Sequence, residues 1–112
     1  MPPESLNNII EKLKPEKSLN KKSVFAVGVF DLFDVKHLRY LEEAADRGDL
    51  LVVGVLDDDS AREGDKPIVP AADRLKIVSA MEPVDFAFVL KKSEIDFATK
   101  AIVPDFIFER ED

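Results

Sequence analysis

The stretch Ser23-Val24-Phe25-Ala26-Val27-Gly28-Val29-Phe30-Asp31-Leu32-Phe33-Asp34-Val35-Lys36-His37 decides how this chain folds. Residues 23–29 form a β-branched and aromatic run with no polar alternation, which predicts a strand covered on both faces, as in the parallel sheets of α/β proteins. Leu38, Leu41 and Ala45 then recur at helical spacing, which predicts a helix over 37–47 with Gly48 as its C′ residue. Strand, loop and helix in that order put the loop 30–36 at the carboxyl edge of a sheet, where open α/β folds bind their ligands.

The same alternation continues outward. Residues 50–56 read as a second buried strand and 57–65 as a turn-rich acidic loop. A helix starting at Pro70 presents Leu75, Val78 and Met81 and stops at Pro83; 85–90 is a third strand and 105–108 a fourth. Between those two strands, Ser93 with Asp96 three residues later predicts a capping box for a helix through Ile102. Upstream, Leu6, Ile9, Ile10 and Leu13 predict a helix over 5–13, with Ser5 as N-cap and Pro15 as its stop, and 14–22 reads as a polar linker. The expected organisation is therefore an N-terminal helix and linker over 1–22 and an α/β domain over 23–112. That domain should be a Rossmann-like, doubly wound parallel sheet of about four strands, its first two adjacent and helices on both faces.

Composition narrows the function classes. The 112 residues include no cysteine and one histidine, which leaves no disulfide framework, no thiol nucleophile and no His-rich metal cluster, so no metal site is expected. A reducing, cytoplasmic setting fits this usage. No stretch approaches membrane-spanning length and nothing reads as a signal peptide. Net charge is -7 and unevenly spread: residues 1–22 hold five lysines and three glutamates, leaving eleven bases against twenty acids in the rest. So acidic a surface repels a phosphate backbone, and nucleic acid is not an expected partner. A small anion remains compatible, because a helix N-terminus offers backbone N–H groups and needs only one or two cations beside it.

The segment from Gly28 to His37 resembles the signature of the cytidylyltransferase-like nucleotidyltransferases: a strand, then G-x-F-D, then an H-x-G-H tetrad opening a helix. Here Gly28-Val29-Phe30-Asp31 supplies the first part, and the tetrad reads Asp34-Val35-Lys36-His37. The likeness runs on through Leu41 to Ala44, Gly48-Asp49, Val53-Gly54-Val55 with Asp58, Lys66-Pro67-Ile68-Val69-Pro70 with Arg74, Val84-Asp85 and Pro104-Asp105. Glycerol-3-phosphate cytidylyltransferases and the nucleotidyltransferase domain of bacterial ADP-heptose synthases are the branches it is similar to. One uses CTP and the other ATP, so the base stays open. The resemblance implies attack by a substrate phosphate on the nucleotide α-phosphorus with release of pyrophosphate, magnesium accompanying the triphosphate, and a phosphorylated sugar or polyol as acceptor.

What the resemblance implies for this chain is a nucleotide site made of Gly28, Phe30, Asp31, Asp34, Lys36, His37, Asp58, Lys66 and Arg74, with Lys36 and His37 nearest the chemistry. Its departures fall on that chemistry. Asp34 puts a carboxylate where the family has its first histidine, and losing one preorganised donor typically costs about a hundred- to thousandfold in rate. Lys36 replaces a glycine whose missing side chain admits phosphate to the backbone. After Pro104-Asp105 the family shows K-G-x-D and then a final strand and helix, whereas this sequence reads Glu109-Arg110-Glu111-Asp112. Residues 105–108 are then expected to be an open sheet edge that pairs in a homodimer, with the acidic tail limiting further growth.

Each group also has a plainer reading. His37 can be a capping residue, Asp31 can satisfy loop N–H groups, Asp57 to Asp59 can be a solvated turn, Arg74 can be a surface ion-pair residue, and Lys91-Lys92 can be solvated charge. Phe86, Phe88, Phe97, Phe106 and Phe108 are expected to pack in the core rather than to stack bases. Two functions follow: an active nucleotidyltransferase, or a catalytically degenerate or truncated member of the family that binds nucleotide or assembles.

Overall fold

In a computed structural model, which describes residues 5–60 and 66–109, the chain folds as helix α1 (Leu6–Ser18), strand β1 (Ser23–Gly28), α2 (Val35–Ala45), β2 (Leu50–Leu56), α3 (Ala71–Ser79), β3 (Phe86–Leu90), a 3-10 turn (Lys92–Glu94), α4 (Ile95–Ile102) and β4 (Phe106–Phe108). The four strands form one parallel sheet in the order β3-β2-β1-β4. The expected parallel α/β sheet with β1 and β2 adjacent is borne out. Because β2 and β4 lie on opposite sides of β1, the chain leaves β1 in one direction and returns on the other, opening a crevice at the carboxyl ends of β1 and β4.

Strand side chains alternate between two cores. On one face Val24, Ala26, Val53 and Val55 pack with Leu41 and Ala44 of α2 and Leu75 and Val78 of α3. On the other, Phe25, Val52 and Phe88 pack with Ile9 and Leu13 of α1 and Ala98 and Ile102 of α4. The Phe25 and Phe88 rings stack with centroids 6.1 Å apart. Both faces of β1 and β2 are therefore dry, which is why their sequences carry no alternation.

At the amino edge the sheet is fastened by three aspartates that each precede a strand. Asp49, Asp85 and Asp105 donate their N–H groups to Lys22 O, Leu51 O and Ser23 O, and their carboxylates accept from the N–H groups of Lys22, Leu51 and Ser23, each at 2.8 Å. The first residues of a parallel strand have N–H groups without a ladder partner, and each carboxylate supplies one. The Gly48-Asp49, Val84-Asp85 and Pro104-Asp105 pairs thus share one structural cause. Gly48 serves close approach: a Cβ there would lie 2.8 Å from Lys22 O. It is not the helix terminator, since Asp46 caps α2 in the right-handed helical conformation.

Other local expectations are corrected. α1 runs through Pro15 to Ser18, because Lys17 Nζ crosses to the carbonyl oxygens of Ile102 and Val103 at the end of α4 and holds the last turn in place. The polar linker is correspondingly short. α2 begins at Val35 and buries Tyr40, Leu41 and Ala44, while Leu38 and Ala45 are only half buried. Ser93 does not cap α4; Glu94 instead accepts the N–H of Lys91 at 2.8 Å and winds the preceding turn into 3-10 geometry. Phe97 and Phe106 are exposed rather than in the core, one on the outer side of α4 and the other on the edge strand. No helix among the described residues is long and apolar enough to cross a membrane.

Two stability predictions follow from the caps. Val103 closes α4 at φ 51° with its side chain largely in solvent, a left-handed conformation that penalises a β-branched residue and suits glycine. Val103→Gly is expected to raise the unfolding free energy by about 1 kcal/mol, read as a higher denaturant midpoint at unchanged slope; a lower midpoint would contradict it. At the start of α2 the N–H of His37 above all, with that of Lys36, holds the Asp34 carboxyl below the ordinary aspartate range. Its contribution is complete above about pH 4 and is lost as pH falls through the depressed folded-state value. Melting temperature against pH should therefore fall more steeply on the acid side for the native chain than for Asp34→Asn, whose uncharged cap does not titrate; identical acid limbs would exclude the charged cap.

Candidate functional site

The loop from β1 to α2 is built on tight backbone. Phe30 and Leu32 both adopt left-handed φ values, 56° and 48°, a cost that folded proteins tolerate where the surroundings fix it. Gly28 makes this turn possible, since a Cβ on it would sit 2.9 Å from the Phe30 ring. Phe30 is thereby folded back into the core at 4 % exposure. Its ring meets His37 edge-on at 5.8 Å and Tyr40 at 6.0 Å, and Phe33 meets His37 at 5.4 Å. Asp31 is buried with both carboxylate oxygens engaged: Oδ2 accepts from Ile68 N and Oδ1 from Val69 N, each at 3.0 Å. The segment before α3 is in this way fastened to the loop after β1.

Asp34 and His37 form a reciprocal cap. Asp34 Oδ1 accepts from the N–H groups of Lys36 and His37 at 3.0 and 3.2 Å, while His37 Nδ1 accepts from Asp34 N at 3.2 Å. With Nδ1 placed to accept from Asp34 N, the ring N–H is left at Nε2. His37 thus keeps one donor outside the cap.

A cavity of about 540 Å³ opens at the carboxyl ends of β1 and β4, and Gly28, Phe30, Asp31 and His37 line it. Lys36, Asp34, Asp58, Lys66 and Arg74 do not, so the nine candidate residues divide into two groups. Lys36 is exposed on the first turn of α2. Lys66 Nζ lies 3.8 Å from Asp59 with both side chains largely in solvent, an ion pair of little consequence. Arg74 is fully buried: Nε donates to Val69 O at 2.8 Å, Nη1 to Val29 O at 2.7 Å and Leu56 O at 2.8 Å, and Nη2 to Asp58 Oδ1 at 2.7 Å. The reading of Arg74 as a surface ion-pair residue is corrected, and the acidic turn is only partly solvated, since Asp58 is its partner. Residues 61–65 of that loop and 110–112 of the acidic tail lie outside the described residues.

Sequence reasoning missed Tyr40, Thr99 and Glu109, which also line the cavity. Tyr40 Oη reaches Val27 O and Phe108 O at 3.3 Å each, bridging β1 and β4 where their pairing ends. Its position three residues after His37 on α2 was a usable signal. Thr99 sits on α4, and only the topology brings that helix to the crevice. Among the described residues no lysine or arginine lines the cavity; Asp31, His37, Tyr40 and Glu109 are its titratable groups.

A family model described as cytidylyltransferase-like matches residues 25–111. The chain is 37% identical over 110 residues to the bifunctional protein HldE of Desulfatibacillum aliphaticivorans, covering 95% of this chain and 22% of that protein. It is 39% identical over 84 residues to the FAD synthase of Archaeoglobus profundus, covering 75% of this chain and 54% of that one. Among solved structures, a lipopolysaccharide core biosynthesis protein from Thermoplasma volcanium GSS1 superposes with a TM-score of 0.74 at 33% identity, covering 82% of this chain and 80% of the other. The chain thus spans about a fifth of the HldE protein and about half of the FAD synthase it matches. Glycine-supported turn, aspartate-led strands, a histidine at the head of α2 and the matched residues together make this chain a member of the cytidylyltransferase-like family.

Proposed function

We propose that the chain is a nucleotide-binding domain of the nucleotidyltransferase type, taking CTP or ATP in the crevice between β1 and β4, with its capacity for transfer reduced by its own Asp34. The observation that carries this reading is the cap of α2. In the family a phosphate would meet the N–H groups at this helix start, where the helix dipole also favours an anion. Here Asp34 Oδ1 already accepts from Lys36 N and His37 N. The chain's own carboxylate thus competes for donors that an incoming phosphate would use, and adds a negative charge beside it.

The retained chemistry supports binding. His37 keeps its Nε2–H for a phosphate oxygen, and the aromatic wall from Phe30 and Phe108 with the Tyr40 and Thr99 hydroxyls suits a nucleoside. Transfer, where it occurs, joins an oxygen of a phosphorylated sugar or polyol to the α-phosphorus and breaks the bond to the departing pyrophosphate. His37 would stabilise charge on the phosphate oxygens, and Lys36 at the neighbouring position would offer a cation. Magnesium enters as the counter-ion of the triphosphate: it keeps several waters and binds phosphate oxygens without needing a protein cage. Asp31 holds Ile68 N and Val69 N and is not required for that role.

The same reading includes self-association. The outer side of β4 is uncovered among the described residues, with Phe106 and Ile107 about half exposed, a pairing surface that natural sheets rarely leave bare. A homodimer is the expected species at high concentration; light scattering that gives only the 12.5 kDa monomer would contradict it.

The test of the site is Asp34→His combined with Lys36→Gly, read by titration with CTP and with ATP in magnesium. Freeing the helix N–H groups and restoring backbone access should tighten binding at least about tenfold, the worth of one charged hydrogen bond. Weaker binding would show that Lys36 works as a phosphate cation in an adapted site, and unchanged binding would show that this loop does not hold phosphate. A pyrophosphate-release assay on the native chain measures how much transfer survives.

A further inference from the structure

Arg74 is the largest side chain that is completely buried, and it lies under the site without lining it. Its four hydrogen bonds run to three separate segments of the carboxyl edge: Val29 after β1, Leu56 and Asp58 at the end of β2, and Val69 before α3. A buried guanidinium is expensive to desolvate and is stable only where acceptors surround it. The three backbone carbonyls and one carboxylate meet that need and are fixed by it.

The position of Val29 gives this arrangement its consequence. The carbonyl of Val29 belongs to the peptide that leads into Phe30, whose left-handed φ starts the cavity rim. Asp31, one residue on, grips the N–H groups of Ile68 and Val69, and Arg74 Nε donates to Val69 O in that same segment. The loop after β1 and the segment before α3 are thus clamped to each other from two sides, by an anion on one strand end and a cation on the neighbouring helix.

We propose that Arg74 is a positioning residue for the nucleotide site: it sets the Val29–Phe30 turn and the 66–69 segment, and acts on the ligand only through them. The role rests on the nucleotide-binding reading above. It also differs from direct phosphate contact, because a guanidinium bound to four protein acceptors neither releases counter-ions on ligand binding nor needs to move.

The experiment compares the native chain with Arg74→Lys, and with Asp58→Asn, which keeps the arginine and removes only the charge of its half-exposed partner. Folding is checked by circular dichroism. Amide hydrogen exchange then reads the loop without any ligand: residues 28–31 and 66–69 should exchange at least about tenfold faster in Arg74→Lys, with β3 unchanged. CTP and ATP titrations over a range of salt read the function. Affinity should fall about ten- to a hundredfold, as expected when binding groups are misplaced by about an ångström, while the salt dependence keeps its native slope. A shallower slope would overturn the proposal in favour of a direct phosphate contact. Unchanged affinity with unchanged loop exchange would reduce Arg74 to packing. If Arg74→Lys does not fold, Asp58→Asn decides by the same two readings at smaller amplitude. If the native chain binds neither nucleotide, the functional reading fails, and loop exchange alone decides whether Arg74 sets the turn.

Discussion

Every other part of this structure hangs on the way β1 is paired on both sides. A parallel strand has no hairpin to fix its register, and a slip by one residue would turn its core face outward. Asp49 and Asp105 remove that freedom by bonding reciprocally to Lys22 and Ser23 at the head of β1, and Asp85 does the same for Leu51 at the head of β2. With the amino ends locked, the carboxyl ends fall at fixed heights. The crevice between β1 and β4, the bridge from Tyr40 to Val27 and Phe108, and the approach of α4 to the cavity all follow from that register.

The carboxyl edge reflects a conflict between stability and ligand binding. A helix needs its first N–H groups satisfied, and a phosphate site needs the same groups unsatisfied. A histidine and a glycine in the family's tetrad leave them for the ligand; Asp34 in this chain takes them for the helix, and Lys36 stands at the position of the glycine. His37 belongs to both arrangements, because its Nδ1 completes the cap while its Nε2 is turned to no cap donor. Below this surface Asp31 and Arg74 engage protein groups.

Much of the fold was legible in the sequence. Continuous apolar runs marked the strands to within a residue or two, since burial on both faces suppresses alternation, and β2 was read at its observed bounds. Ser5 announced its helix by its cap, whose oxygen accepts from Asn8 N. What failed depended on distant partners. Pro15 reads as a stop locally, but Lys17 finds carbonyls on α4 that no local pattern reveals. Phe97 and Phe106 look like core residues by type, and only the sheet order places one on an outer helix face and the other at an edge. In the site, Gly28, Phe30, Asp31 and His37 of the motif stretch line the cavity, whereas Asp34 and Lys36 of that stretch do not, and Arg74, matched by motif, lies beneath it. An arginine's pattern in sequence does not say whether its donors face a ligand or the backbone.

Because the chain has one histidine, nitrogen-labelled imidazole gives a single unambiguous pair of signals. The most direct measurement is to follow both nitrogens of His37 during titration with CTP and with ATP in magnesium. A saturable shift of Nε2, with Nδ1 remaining an acceptor, is the predicted result, because the ligand's phosphate would take the donor that the cap leaves over. Saturating nucleotide that leaves both nitrogens unmoved would contradict a nucleotide site at the head of α2.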